Sequence, residues 1–341
     1  MVKLLDVQNL VTGYQGKNGQ IKAVDGISFH INRGETVSIV GESGSGKSVT
    51  AMSIMRLVEF DNGEILEGDI EFNKKKITAI SNREMEKIRG SKISMIFQEP
   101  LTALNPVFTI GKQIIESIHF HQKIAKKDAY KRAEELIKLV GISEPKTRLK
   151  QYPHELSGGM RQRVMIAIAL ASEPELLIAD EPTTALDVTI EAQILDLLRK
   201  LREEKKMSIM LITHDIGVAA EMSNRIIIMY AGKIVEIAST EDIFKQPYHP
   251  YTNGLLESVP SMNGERGIPL RSIEGSIPSL HAVPKGCRFS PRCPYSTEKC
   301  RTEEPPLEQK DNRQVACWHV EKLLISKDSL EYTKGGETIE K

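Results

Sequence analysis

Apolar positions recur at close intervals over residues 4–12 and 21–40, and both stretches read as strands. Val24, Ile27, Phe29 and Ile31 are spaced for a half-buried antiparallel ribbon, and Asn32-Arg33-Gly34-Glu35 is the turn that feeds the next strand, Thr36 to Val40. Further turns are predicted at Asp61-Asn62-Gly63 and Glu67-Gly68-Asp69, flanking short strands around Ile65 and Ile70. Ile93 to Phe97 reads as another strand.

The period changes after Pro100. Thr109–Ile118 and Ala125–Val140 carry apolar residues at helical spacing, with Gly141 and Pro145 as stop signals for the second. This predicts a helical insert in an α/β core. Gly158–Ala171 follows as a helix. Leu176-Leu177-Ile178-Ala179 and Met207–Thr213 are short unbroken apolar runs, as expected for parallel strands buried on both faces, and an amphipathic helix from Ile190 to Lys205 joins them. Arg225–Tyr230 and Lys233–Ala238 read as a hairpin around Ala231-Gly232. From about residue 245 prolines punctuate the chain, including Pro260 and Pro269. An extended appendage is expected there rather than more of the sheet, ending in a disordered tail over residues 326–341.

Composition narrows the classes. The chain has 341 residues, 46 basic and 46 acidic, so nothing suggests a nucleic-acid partner. No run of about 18 apolar residues is present, and the N-terminus lacks a signal-peptide stretch. A cytosolic location is expected, with any membrane spans carried by other subunits.

The stretch Gly41-Glu42-Ser43-Gly44-Ser45-Gly46-Lys47-Ser48 lies between a strand and a helix predicted from Val49 to Val58. That is the context of a P-loop. Glycines let the backbone wrap an anion, and the helix N-terminus favours negative charge. Lys47 is placed for β- and γ-phosphates and Ser48 for Mg²⁺. The apolar strand at Leu176 ends in Asp180-Glu181, the first acid suited to Mg²⁺ and the second to general-base work on water. Leu156-Ser157-Gly158-Gly159 is a second glycine turn opening a helix. One protomer needs only one such grip, whereas two facing head-to-tail would each close on the other's nucleotide.

Together these residues resemble the nucleotide-binding subunits of ABC transporters, over residues 1 to about 240. Leu156-Ser157-Gly158-Gly159 matches the signature LSGGQ, with Met160 in place of glutamine. Gln98 matches the Q-loop glutamine, Ala185-Leu186-Asp187 the D-loop and His214 the switch histidine. Tyr14 sits where the family places an adenine-stacking aromatic. The resemblance implies a P-loop NTPase fold, with a RecA-like core, an antiparallel β subdomain and a helical subdomain over about 99–159. It further implies two ATP molecules sandwiched between two ATPase subunits. Gly41, Ser43, Gly44, Ser45, Gly46, Lys47, Ser48 and Val49 would hold phosphates. Ser48, Gln98 and Asp180 would serve Mg²⁺, Glu181 would polarise water, and His214 would contact the γ-phosphate. Ser157, Gly158, Gly159 and Asp187 would act across the dimer. Coupling to the membrane subunits is expected near Gln98–Pro106.

All four cysteines fall late, Cys287, Cys293, Cys300 and Cys317, with spacing C-x₅-C-x₆-C-x₁₆-C. Four thiolates beside Pro and Gly suit a metal centre, and the spacing matches neither zinc ribbons nor ferredoxins. Softness alone allows Zn²⁺ or an iron–sulfur cluster. Gly286-Cys287-Arg288-Phe289, Pro291-Arg292-Cys293 and Pro247-Tyr248-His249-Pro250-Tyr251-Thr252 resemble the C-terminal extension of oligopeptide and dipeptide import ATPases. That resemblance implies a small irregular cysteine-cluster domain over 241–325 holding a [4Fe–4S] cluster, with Zn²⁺ as the alternative. The partners it implies are two transmembrane permease subunits, a second ATPase subunit (paralogue or self) and, indirectly, an extracytoplasmic peptide-binding protein. The location it implies is peripheral, on the cytoplasmic face of the membrane. A nickel importer of the same subfamily, a soluble ABC ATPase and a nucleotide-binding sensor module are the rival functions. A single P-loop and LSGG, a modest helical insert and intact Lys47, Asp180, Glu181 and His214 weigh against the last two.

Overall fold

Two sheets organise the chain in the computed structural model, which describes residues 2–16, 19–99, 103–184, 187–259 and 273–321. The D-loop residues Ala185 and Leu186, Pro100, Pro260, Pro269 and the expected tail at 326–341 lie outside the described residues. The smaller sheet is antiparallel and pairs β1 (Lys3–Gly16) with β2 (Gly19–Asn32) on one side and β4 (Gly63–Phe72) on the other, with β5 (Lys75–Lys76) at the edge. The ribbon residues Val24, Ile27, Phe29 and Ile31 are all buried. Two short strands were expected around Ile65 and Ile70, and the structure has one continuous strand instead. Gly68, at φ +90°, forms a bulge opposite Asn9, where a Cβ would stand 2.3 Å from the Asn9 carbonyl oxygen.

In the larger sheet β3 (Thr36–Val40), β6 (Ile93–Ile96), β7 (Leu176–Asp180), β8 (Ser208–Thr213) and β9 (Arg225–Tyr230) run parallel in the order β9-β3-β8-β7-β6. Their unbroken apolar runs follow from burial on both faces. Leu177 and Ala179 of β7 and Ile209 and Leu211 of β8 pack into a core with the helices. Leu176, Ile178, Met210 and Ile212 point the other way, into a core shared with β1, β2 and helix α1 (Lys47–Ile54). That helix is shorter than the predicted Val49–Val58, because Arg56 turns left-handed at φ +51°.

α2 (Asn82–Glu86) precedes β6, and the helical insert then contains α3 (Ile110–His121), α4 (Lys126–Leu139) and α5 (Pro145–Arg148). Ala129, Ala133, Leu136 and Ile137 form the buried stripe of α4. Gly141, at φ +74°, ends that helix, whereas Pro145 opens α5 rather than stopping α4, since a proline loses nothing at a first helical position. α6 (Gly158–Ala169) and α7 (Val188–Lys205) cover the sheet, and α8 (Ile216–Met222) follows β8. Among the described residues no helix is long and apolar enough to cross a membrane.

The C-terminal segment corrects one expectation. β10 (Lys233–Ser239) forms the predicted hairpin with β9, and α9 (Thr240–Lys245) and α10 (Pro250–Glu257) follow. After α11 (Glu298–Thr302) the chain returns as β11 (Glu308–Lys310) and β12 (Arg313–Val315), and β12 pairs antiparallel with β10. The appendage therefore extends the main sheet by two strands. It shares a core with it as well, since Tyr251 and Phe289 pack with Val40, Ile226, Ile228 and Tyr230.

Candidate nucleotide site

The five residues of β3 are buried and deliver the chain into the glycine turn at the centre of the sheet. Gly46 caps α1 at φ +100°, and a Cβ there would stand 2.7 Å from the Ala23 carbonyl oxygen. At Gly41 a Cβ would come within 2.2 Å of the Met229 carbonyl oxygen. Both positions admit only glycine, and the turn they allow opens directly into the N-terminus of α1. Ser45 Oγ is buried with no hydrogen-bond partner among the described residues. An orphaned hydroxyl inside a phosphate-shaped turn fits a site built for an anion.

Lys47 folds back onto the turn. Its Nζ donates to the carbonyl oxygens of Gly41 (2.8 Å) and Glu42 (3.0 Å). Burial lowers its pKa, opposed by Glu181, Asp180 and Glu42. Ser48 Oγ donates to Asp180 Oδ1 at 3.0 Å. Burial lifts the Asp180 carboxyl from an ordinary 3.8 to about 6. The Ser48 hydrogen bond and Lys47 act in the opposite sense, and Glu181 reinforces the rise. A buried carboxylate beside a serine hydroxyl offers hard oxygen donors suited to a divalent cation.

Glu181 is the hub. It sits just past the end of β7 at φ +44°, a left-handed conformation that a non-glycine residue holds only at a cost, and its N–H donates to the Ile212 carbonyl oxygen at 2.9 Å. Its Oε2 accepts from Gln98 Nε2 and from Thr184 Oγ1, both at 2.9 Å. Its Oε1 stands 3.4 Å from His214 Nδ1 and 4.0 Å from Lys47 Nζ. Four stations spread over 168 positions of sequence, Lys47, Gln98, Glu181 and His214, thus meet at one carboxylate. Thr184 was not anticipated. It sits in the turn after Glu181, and a hydroxyl three residues past an acid carries no signal of its own.

The remaining stations lie apart from this cluster. Ser157 caps α6 by accepting from the Met160 N–H at 3.4 Å, and a Cβ on Gly159 would meet Ile190 of α7 at 2.8 Å. Asp187 caps α7 through the Ile190 N–H at 2.9 Å. Val49 packs against the core shared with the small sheet. Tyr14 lies on β1 against Gly63, where a Cβ would approach its ring to 2.8 Å. Burial raises its phenol pKa, and Asp61 adds to the rise.

Comparison with known proteins places this geometry. Residues 24–184 match the family model for ABC transporters, and residues 235–300 match that for the oligopeptide/dipeptide transporter C-terminal region. The chain is 53% identical to the oligopeptide transport ATP-binding protein AppD of Bacillus subtilis (strain 168), over 93% of this chain and 97% of that one. It belongs to the oligopeptide/dipeptide branch of the ABC transporter ATP-binding subunits. It is an ATPase. It is also 47% identical to the dipeptide transport ATP-binding protein DppD of Escherichia coli (strain K12), over 92% of this chain and 96% of the other. Among solved structures, the ATP-binding cassette MJ0796, dimeric in a post-hydrolysis state bound to ADP and Pi, superposes with a TM-score of 0.63 at 33% identity. That match covers 69% of this chain and 98% of the other.

In this ABC ATPase the four cysteines line one cavity of about 20 Å³, together with His249, Phe289 and His319. Among the described residues no group of three or more His, Cys, Asp or Glu side chains is arranged to hold a metal ion. Burial raises the Cys287 thiol and pushes Cys293 to about 11 and Cys317 to about 12. Cys287 and Cys293 pack against the core around Tyr230 and Phe289. Cys300 Sγ lies 3.3 Å from His319 Nε2, which in turn lies 3.0 Å from Thr297 Oγ1.

Proposed function

We propose that this ATPase energises uptake of dipeptides and oligopeptides, working at the cytoplasmic face of the membrane on two transmembrane permease subunits. The observation that carries the hydrolytic half is the convergence of Gln98, Thr184, His214 and Lys47 on Glu181, beside the Asp180–Ser48 pair. The cargo follows from similarity along almost the full length to proteins named for oligopeptide and dipeptide transport.

In this reading Lys47 leaves the turn carbonyls when ATP binds, and the amides of residues 43–49 receive the phosphates. Ser48 and Asp180 hold Mg²⁺, with Gln98 next to them. Mg²⁺ held there would supply positive charge to the phosphates. Glu181 accepts a proton from the attacking water, and His214 and Gln98 orient the water and the γ-phosphate around that carboxylate. Tyr14 stacks on adenine. Ser157 and Gly159 act on the nucleotide of a second ATPase subunit, self or paralogue, from the N-terminus of α6, and Gly158 and Asp187 belong to the same nucleotide-binding set. The ABC unit spans 1–240 and the extension 241–325. Cys287, Cys293, Cys300 and Cys317 ligate a [4Fe–4S] cluster, with Zn²⁺ as the alternative. Support comes from their shared cavity and soft donor set.

Vesicles containing both permeases and the ATPase pair test the reading, with a peptide-binding protein supplied outside. ATP-dependent peptide accumulation is the expected result. Accumulation of nickel with no peptide uptake would replace the cargo. For the cysteines, anaerobically purified protein should show broad brown iron–sulfur absorption. Stoichiometric zinc in colourless protein would decide for the alternative.

A further inference from the structure

The phosphate-gripping turn is held from outside the ABC unit. Glu42, its second residue, donates its backbone N–H to Tyr251 Oη at 2.9 Å, and its carboxylate receives Arg292 Nη1 at 2.9 and 3.1 Å. Both partners come from the C-terminal segment, more than 200 positions away. Tyr251 is wholly buried on α10, its ring set edge-on to Tyr230 at 4.7 Å. The Arg292 side chain is only 6% exposed. Its other donors are fixed by the carbonyl oxygens of Ile273, Glu274 and Gly275 and by Tyr230 Oη. A guanidinium saturated in this way cannot swing with the loop. It holds both Glu42 carboxylate oxygens from one fixed nitrogen, Nη1.

We propose that Tyr251 and Arg292 are positioning residues for ATP binding, through which the cysteine-bearing segment sets the shape of the phosphate turn. The proposal rests on the reading of Gly41–Ser48 as the phosphate site. Tyr251 takes the Glu42 N–H out of phosphate contact and fixes the Gly41–Glu42 peptide plane, so the Gly41 carbonyl oxygen faces Lys47 Nζ at 2.8 Å. Arg292 anchors the side chain of the same residue. The turn is therefore shaped before nucleotide arrives, and ATP does not bear the cost of ordering it. A second tie has the same origin and sense. Arg288 bonds the Ala231 carbonyl oxygen and Asp25, and the neighbouring Gly232 N–H donates to the Ser45 carbonyl oxygen at 2.8 Å. Cys287 and Cys293 adjoin these two arginines in sequence, so a change at the cysteine cavity is transmitted to the turn from two sides.

The test uses the full chain and a fluorescent ATP analogue with Mg²⁺. Tyr251→Phe, which removes one hydroxyl, and Arg292→Met should each raise the dissociation constant about tenfold. In the assembled transporter KM for ATP should rise similarly, while kcat changes less than threefold. Glu42→Gln combined with Arg292→Met should weaken binding no more than either alone, because both act through one contact. Thermal melting and the cysteine-cavity absorption or thiol count identify variants that retain the fold. Unchanged affinity in folded Tyr251→Phe and Arg292→Met overturns the proposal, as does full additivity in the cycle. Lys47→Ala separates the two readings. If it abolishes binding while Tyr251→Phe and Arg292→Met do not weaken it, only the positioning role fails. If Lys47→Ala binds normally, the phosphate site itself is misassigned and the proposal falls with it.

Discussion

Asp180 makes the ATPase less stable than it need be in the absence of a cation. The carboxyl is 5% exposed and its pKa is lifted from 3.8 to about 6, so the folded chain holds a proton that the unfolded chain releases between those values. Stability is therefore lost as pH rises from 3.8 through 6 and stays lost above it. A rise of about two units at about 1.4 kcal/mol each amounts to roughly 3 kcal/mol. Asn at this position keeps an oxygen to accept from Ser48 and carries no charge to bury. Asp180→Asn should then stabilise the metal-free protein at pH 7.5 by about 1–3 kcal/mol, which raises the melting temperature by roughly 2–6 °C for a chain of this size. Calorimetry in chelator across pH 4.5–7.5 is the assay. The gap should be small at pH 4.5 and widen to a plateau above pH 6. With saturating Mg²⁺ and ATP the gap should close, since binding at about 100 times the dissociation constant adds about 2.7 kcal/mol to the wild type. A gap independent of pH, or a variant that melts below wild type in chelator at pH 7.5, would refute the reasoning.

Other consequences follow from the same geometry. His214→Ala removes one of the groups around Glu181 Oε1 and should lower kcat by about a hundredfold with ATP binding preserved, measured as phosphate release in the assembled transporter. Gly46→Ala places a side chain at φ +100° and 2.7 Å from the Ala23 carbonyl oxygen. It should cost about 1–2 kcal/mol in backbone strain alone and weaken ATP binding, read by melting and by analogue titration.

Much of the site was legible because its parts sit at element ends. The run Leu176–Ala179 predicted a doubly buried strand, so Asp180 and Glu181 had to emerge at its C-terminal edge, where parallel sheets present their ligands. The glycine turn and Ser157 announced two helix N-termini for the same local reason. What sequence could not carry was contact across distance. Gly68 looked like a turn because its left-handed φ is common to turns and bulges, and only pairing with β1 decides between them. Pro145 looked like a stop because proline disfavours helix before it as much as it permits one after it. The prolines beyond 245 hid β11 and β12, which are three residues each; β12 finds its partner in β10, some 80 positions earlier, and β11 pairs with β12. The grip of Tyr251 and Arg292 on Glu42 has no local trace at all. The cysteine spacing pointed to thiols gathered in one place, and the four line one cavity.

The central claim is that Glu181 is the carboxylate around which hydrolysis is arranged. Glu181→Gln keeps the side-chain shape and the hydrogen bonds to Gln98 and Thr184 within reach, but removes a base able to take a proton from water. Steady-state phosphate release by the assembled transporter, with ATP binding measured alongside, tests this directly. The account predicts a loss of turnover of about a hundredfold or more, with ATP affinity retained and an ATP-bound dimer accumulating. Turnover within threefold of wild type would contradict it.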